Sequence, residues 1–192
     1  MDDVQNVIVY LIGFPGTGKY TIAQELVRRA DFRLIDNHLI NNPVFSLVHA
    51  DGKTKLPEDI WDNVTRIWDV VLDTMVHISP AEYSFILTNH LVENDAGDLR
   101  HYGKIEAAAR QRQALFVPVR LMLSDVNEHI KRITAKNRAV RMKENNPEAP
   151  KRYAAQQILD PGHPDGLTID VTNLPATQVA DAILDHVKSL RN

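Results

Sequence analysis

The sequence predicts an α/β protein of three layers, a five-stranded parallel sheet covered by helices on both faces. Three observations carry that reading. Short apolar runs alternate with longer stretches in which apolar residues recur at helical spacing, and strands separated by helices need crossovers that leave neighbours parallel. A glycine-rich turn, "GFPGTGKYT", joins the first apolar run to the first helical stretch. No internal repeat or low-complexity tract breaks the alternation, and 192 residues suit one domain with a real core.

The elements follow in order. Residues 7–12 form a buried-strand run, and the glycine turn leads into a helix over about 20–30. "FRLID" is the second strand. A long helix is expected over 57–79, where Ile60, Val64, Ile67, Val71, Met75 and Ile78 share one face. Trp61 and Trp68, seven residues apart on that helix, also share a face and are expected in the core. "YSFILTNHL" and "ALFVPVRLML" are the third and fourth strands, with helices over 98–113 and 126–143. The last of these has an apolar stripe of Val126, Ile130, Ile133 and Val140. "ENNPEAPKRY" reads as a polar loop, "LTIDVT" as the closing strand, and 175–190 as the closing helix with proline in its first turn.

Composition narrows the function classes. A net charge of -3 gives no general attraction to nucleic acid, so anion binding must come from a local cluster. The absence of cysteine excludes disulfides, thiolate metal sites and cysteine nucleophiles. No apolar run approaches the roughly 18 residues needed to span a bilayer, and "MDDVQNV" lacks the layout of a signal peptide. A cytoplasmic location is expected. The eight histidines are scattered without zinc-ligand spacing, so no metal site is assigned to them.

The glycine turn matches the phosphate-binding pattern G-x-x-x-x-G-K-[ST] except at its last place. Gly13, Gly18 and Lys19 are in register, but Tyr20 stands where a hydroxyl would meet magnesium. Gly13, Gly16 and Gly18 let the backbone curl with its N–H groups inward. The next helix points its positive end at the same spot, and Lys19 adds a point charge for terminal phosphates. Gly13, Pro15, Gly16, Thr17, Gly18, Lys19, Tyr20 and Thr21 are therefore the expected nucleotide-binding residues. The competing reading is a tight turn with an incidental lysine.

"GFPGTGKYT" is similar to the G-x-P-G-x-G-K-G-T loop of adenylate kinases and related nucleoside monophosphate kinases. That resemblance implies a P-loop NTPase fold, ATP and Mg2+ as cofactors, and a threonine one place after the usual hydroxyl. Thr21 matches it and is the expected metal-side residue, with magnesium held largely through phosphate oxygens and waters. Asp36, ending the second strand, resembles the aspartate that orients or deprotonates the acceptor hydroxyl in shikimate, gluconate and adenylylsulfate kinases. It is equally placed to cap the following segment, but the carboxyl edge of a parallel sheet is where ligands bind, which favours function. His38, with Asn41 and Asn42, could line the same pocket. The third strand ends in Thr88 and Asn89 where many NTPases carry a metal-orienting acid, so Asn89 is taken as a substrate or metal-water contact.

The segment "KRITAKNRAVRMK" has six basic residues in thirteen and no acid, and resembles the lid of small P-loop kinases. By that resemblance Arg132 stacks on adenine, while Arg138 and Arg141 clamp the transferring phosphoryl group. A solvated basic face, or an RNA contact, is the alternative. Arg100 is placed by the same family likeness near an anionic group of the acceptor, with a surface ion pair as the alternative. "LTIDVTNLPATQVADAILDHV" resembles the closing strand and helix of the shikimate and chloramphenicol phosphotransferase group, which puts Asp170, Thr172 and Asn173 beside adenine. Residues 37–80 are then a helical acceptor-binding insertion and 131–152 a basic lid on a single domain spanning 1–192. The expected function is transfer of the terminal phosphoryl of ATP to a small molecule or nucleotide. A nucleotide-binding regulatory protein or weak ATPase is the alternative, and an RNA-associated protein a third reading. Membrane partners are not expected and nucleic acid is disfavoured.

Overall fold

The computed structural model describes residues 4–48, 51, 54, 56–135, 145–153 and 155–191. Five strands, β1 (Val7–Gly13), β2 (Phe32–Asp36), β3 (Ser84–Asn89), β4 (Leu115–Met122) and β5 (Leu167–Asp170), form one parallel sheet in the order β2-β3-β1-β4-β5. The helices are α1 (Lys19–Arg29), α2 (Asn37–Phe45), α3 (Ile60–His77), α4 (Ala96–Gln111), α5 (Val126–Ile133), α6 (Ala149–Tyr153) and α7 (Ala176–Ser189).

The central strand explains the layering. Every residue of β1 is buried, so it reads as a continuous apolar run and not as an alternating one. Val7, Val9 and Leu11 face one core with Ile22 and Leu26 of α1 and Val179, Ile183 and Val187 of α7. Ile8, Tyr10 and Ile12 face the other, with Ile40 and Phe45 of α2, Trp68 and Met75 of α3 and Ile105 of α4. The three-layer parallel architecture is thus as the sequence predicts.

Four local expectations are corrected. The segment after Asp36 is helical, and Pro43 inside α2 disguised it in the sequence. The helix beginning at Val126 stops at Ile133, where Thr134 takes the C-cap and its hydroxyl donates back to the Ile130 carbonyl. Its buried face is His129 and Ile133, while Val126 is exposed; Val140 lies outside the described residues. The polar loop after it contains α6. Trp68 is in the core, but Trp61, in the first turn of α3, is 48% exposed and meets Phe45 in a T-shaped contact.

Two polar devices fix the insertion side. The guanidinium of Arg112, just past α4, donates to the carbonyls of Met75, Ser79, Pro80, Ala81 and Tyr83, and so closes the end of α3 and the turn into β3. Asp98, in the first turn of α4, accepts from the N–H of Val92 at 2.7 Å. Burial nevertheless pushes its carboxyl up, to about 6.

A carboxyl whose pKa is raised by folding favours the folded state below its unfolded value and loses that contribution as pH rises through the folded value. Asp98→Asn should therefore stabilise the protein at pH 8, with the advantage vanishing below about pH 4. Urea midpoints of the two proteins across pH 4 to 8 test this.

Candidate functional site

The carboxyl ends of β1, β2 and β3 open into one cleft of ≈ 490 Å³. It lies at the sheet edge where the order of strands reverses about β1, the place where open α/β sheets bind ligands.

The floor is the turn from β1 to α1. A Cβ on Gly13 would stand 2.7 Å from Thr17 Oγ1 and 3.0 Å from the Leu121 carbonyl, so only glycine fits. Gly16 and Gly18 have φ of 100° and 87°, the left-handed region that side chains rarely adopt. Thr17 is buried and its hydroxyl donates to the Phe14 carbonyl at 2.9 Å, which tightens the turn. Gly18 is the N-cap of α1 and makes no side-chain cap bond, and the positive end of that helix points into the cleft where an anion would be favoured. The Lys19 ammonium lies back over the loop, donating to the carbonyls of Gly13 at 2.5 Å and Phe14 at 3.0 Å. Tyr20 and Thr21 line the cleft; Thr21 is exposed, and the Tyr20 hydroxyl accepts from Gln24 Nε2 at 3.2 Å.

One wall is built on β2 and α2. Asp36 is 3% exposed and lines the cleft. Its Oδ1 caps α2 by accepting the His38 N–H at 2.9 Å, and its Oδ2 accepts the Thr88 hydroxyl at 3.1 Å. The two roles considered for this residue thus meet in one side chain. His38 also lines the cleft, with Nδ1 3.2 Å from Asn42 Oδ1. Asn41 and Asn89 are buried behind this wall, and among the described residues neither Oδ1 has a hydrogen-bond partner.

The opposite wall belongs to α5 and to the turn between β5 and α7, with Val171, Leu174, Pro175 and Val179 giving it an apolar surface. Arg132 spans this side: Nε donates to Glu128 at 2.8 Å, and Nη2 donates to the carbonyls of Val171 at 3.1 Å and Thr172 at 2.9 Å. Asp170 shapes the turn by accepting from the hydroxyls of Ser124 and Thr172, each at 2.6 Å. Those two bonds hold its carboxyl below the ordinary range.

The sequence-predicted residues fall into three groups. Pro15, Gly16, Thr17, Gly18, Lys19, Tyr20, Thr21, Asp36, His38 and Arg132 line one cleft, with Gly13 directly beneath. Asn173 and Arg100 are exposed and do not line it; Arg100 sits on the outer face of α4. Arg138 and Arg141 lie outside the described residues.

Three residues escaped the sequence reading. His129 Nε2 donates to the Pro15 carbonyl at 2.6 Å, and its ring blocks the space a Gly16 side chain would need. Tyr153 of α6 stacks on Phe14, centroids 4.6 Å apart, and on His129 at 5.8 Å. His90, after β3, meets Phe14 at 5.2 Å and Tyr153 at 5.5 Å and lines the cleft. The only sequence signal was the place of His129 on the helical stripe, four residues before Ile133.

No protein-family model and no curated protein sequence matches the chain. Solved structures do match it in shape. A gluconokinase from Sinorhizobium meliloti superposes with a TM-score of 0.62 at 10% identity, over 96% of this chain and 93% of the other. A sugar kinase from Janibacter sp. gives 0.63 at 14% identity, over 95% of each chain. The APS kinase of Mycobacterium tuberculosis, solved with AMPPNP and APS, gives 0.57 at 13%, over 96% of this chain and 98% of that one.

His129→Phe keeps the ring contact with Tyr153 but strips the Pro15 carbonyl of its donor. We expect a loss of about 1–2 kcal/mol in stability and faster amide exchange through the glycine turn, read by denaturation and hydrogen-exchange mass spectrometry. At these identities the structural likenesses speak to architecture alone, and that architecture is the fold of the P-loop kinases.

Proposed function

We propose that the chain is an ATP-dependent phosphotransferase acting on a small-molecule acceptor. The observation that carries this reading is that the glycine turn with its lysine, and a buried aspartate from the end of β2, two strands away, line the same cleft.

The cleft suits a nucleotide. Uncapped N–H groups of α1, the left-handed glycines and Lys19 converge where a polyphosphate would lie. Arg132 and the apolar wall of Val171, Leu174 and Val179 offer a planar cation and greasy surface to a base. Magnesium bound with the nucleotide would offset phosphate charge. For it the chain supplies the Thr21 hydroxyl, and no cluster of three acids or histidines exists among the described residues. Phosphate oxygens and water would therefore make most of its contacts.

In the reaction an acceptor oxygen forms a bond to the γ-phosphorus as the bond to the β,γ-bridging oxygen breaks. The electron pair of that bond leaves with ADP, and the acceptor proton passes to Asp36. Lys19 is placed to steady the charge that moves onto the leaving oxygen. Residues 37–80 form the acceptor side and 131–152 the lid, with Arg138 and Arg141 assigned to the transferring group. His38 and Asn89 are assigned to the acceptor, as is Arg100 if the acceptor is anionic. The cytoplasm is the fitting location for such an enzyme, and no described helix is long and apolar enough to cross a membrane.

One observation favours a nucleotide-dependent regulatory protein or weak ATPase instead: both oxygens of Asp36 already hold hydrogen bonds within the fold. Substitution separates the readings. Lys19→Met should abolish nucleotide binding, measured by calorimetry. Asp36→Asn keeps an N-cap oxygen for α2, so it should spare ATP affinity while lowering transfer to an acceptor by about 10²–10⁴. Full transfer by Asp36→Asn removes the residue as base. ATP binding with no transfer to a panel of sugars, nucleosides and antibiotics favours the regulatory reading.

A further inference from the structure

Among the polar side chains of the cleft wall that this reaction does not use is an imidazole. His90 immediately follows β3, at the sheet position where the sequence offers Thr88 and Asn89 in place of an acid. It lines the cleft together with Lys19, Asp36 and the glycine turn. The stacked pair of Phe14 and Tyr153 packs against the ring, with interplanar angles of 57° and 72°. Its Nε2 is buried and has no hydrogen-bond partner among the described residues. Buried side-chain nitrogens are almost always bonded, so this orphan is a polar atom beside the cleft with its hydrogen-bonding capacity unspent. Burial, reinforced by the charge of Lys19, pulls the imidazole down to about 3, so it is neutral at physiological pH.

We infer that the imidazole of His90 hydrogen-bonds the terminal phosphate of the bound nucleotide, at the strand end where the chain has no acid. The inference rests on the kinase reading and adds a phosphoryl contact to it. The uncapped end of α1 and Lys19 draw an anion to this corner. An acid here would repel that anion unless a metal lay between them. A neutral imidazole can donate to a phosphate oxygen without adding a second cation to the corner. The aromatic neighbours fix the plane of the ring in advance, so little order is lost when the bond forms.

The test compares ADP with the β,γ-imido analogue of ATP, which adds only the terminal group. Calorimetry is run on the wild type, on His90→Phe, which keeps the ring packing, and on His90→Gln, which restores a hydrogen-bonding group. His90→Phe should lose about tenfold in affinity for the imido analogue and less than twofold for ADP, with most of the loss recovered in His90→Gln. In the 15N-labelled wild type, the imidazole resonances of His90 should move further with the imido analogue than with ADP. Equal losses for the two nucleotides, or no loss, would assign His90 to packing and overturn the inference while leaving the kinase reading intact. Ring resonances that respond identically to the two nucleotides overturn it as well, and they decide the matter if His90→Phe does not fold. Failure of the wild type to bind either nucleotide overturns both.

Discussion

Everything about this cleft depends on how closely the turn after β1 wraps against its own first residue. A single carbon added at Gly13 would strike both Thr17 and the neighbouring strand β4. Because nothing protrudes there, the backbone can double back within a few residues and start α1 with its N–H groups facing out of the sheet. The burial of β1 on both faces makes the same demand from below, since the central strand must end cleanly before the chain can turn. The remaining walls are placed relative to this turn. Thr17 ties it to itself, His129 ties it to α5, and Phe14 ties it to α6 and to the end of β3.

The resulting charge layout is economical. The positive groups gather around the turn, where Lys19 and the end of α1 lie together. The buried carboxylate of Asp36 stands at the end of β2, beyond β3 from the turn, and is kept in place by a backbone amide and a hydroxyl. Such neutral donors hold a carboxylate in position without cancelling its charge. The other wall contributes mostly apolar area and one flat cation whose position is set by backbone carbonyls.

The fold was legible because buried parallel strands and amphipathic helices leave different periodicities, and the glycine turn fixed where the chain changes from one to the other. The residues 13–21 were legible for the same reason: a phosphate turn is local, and its glycines and lysine are adjacent in sequence. Asp36 was legible from its place at a strand end. His90, His129 and Tyr153 were not, because they converge on Phe14 and Pro15 from segments up to 139 positions away and carry no local pattern. The α2 helix was hidden by Pro43, and the early end of α5 by an apolar stripe that ran on past Thr134. In each case a tertiary contact or a cap overrode a propensity that was read correctly on its own terms.

The guanidinium of Arg112 has a consequence for the order of assembly. The carbonyls it collects lie 29 to 37 residues earlier, at the end of α3 and in the turn before β3. Those carbonyls cannot acquire their shared donor until α4 has been laid against the sheet. The junction between α3 and β3 is therefore completed by a residue that follows α4, and a single side chain does the work of a reversible cross-link.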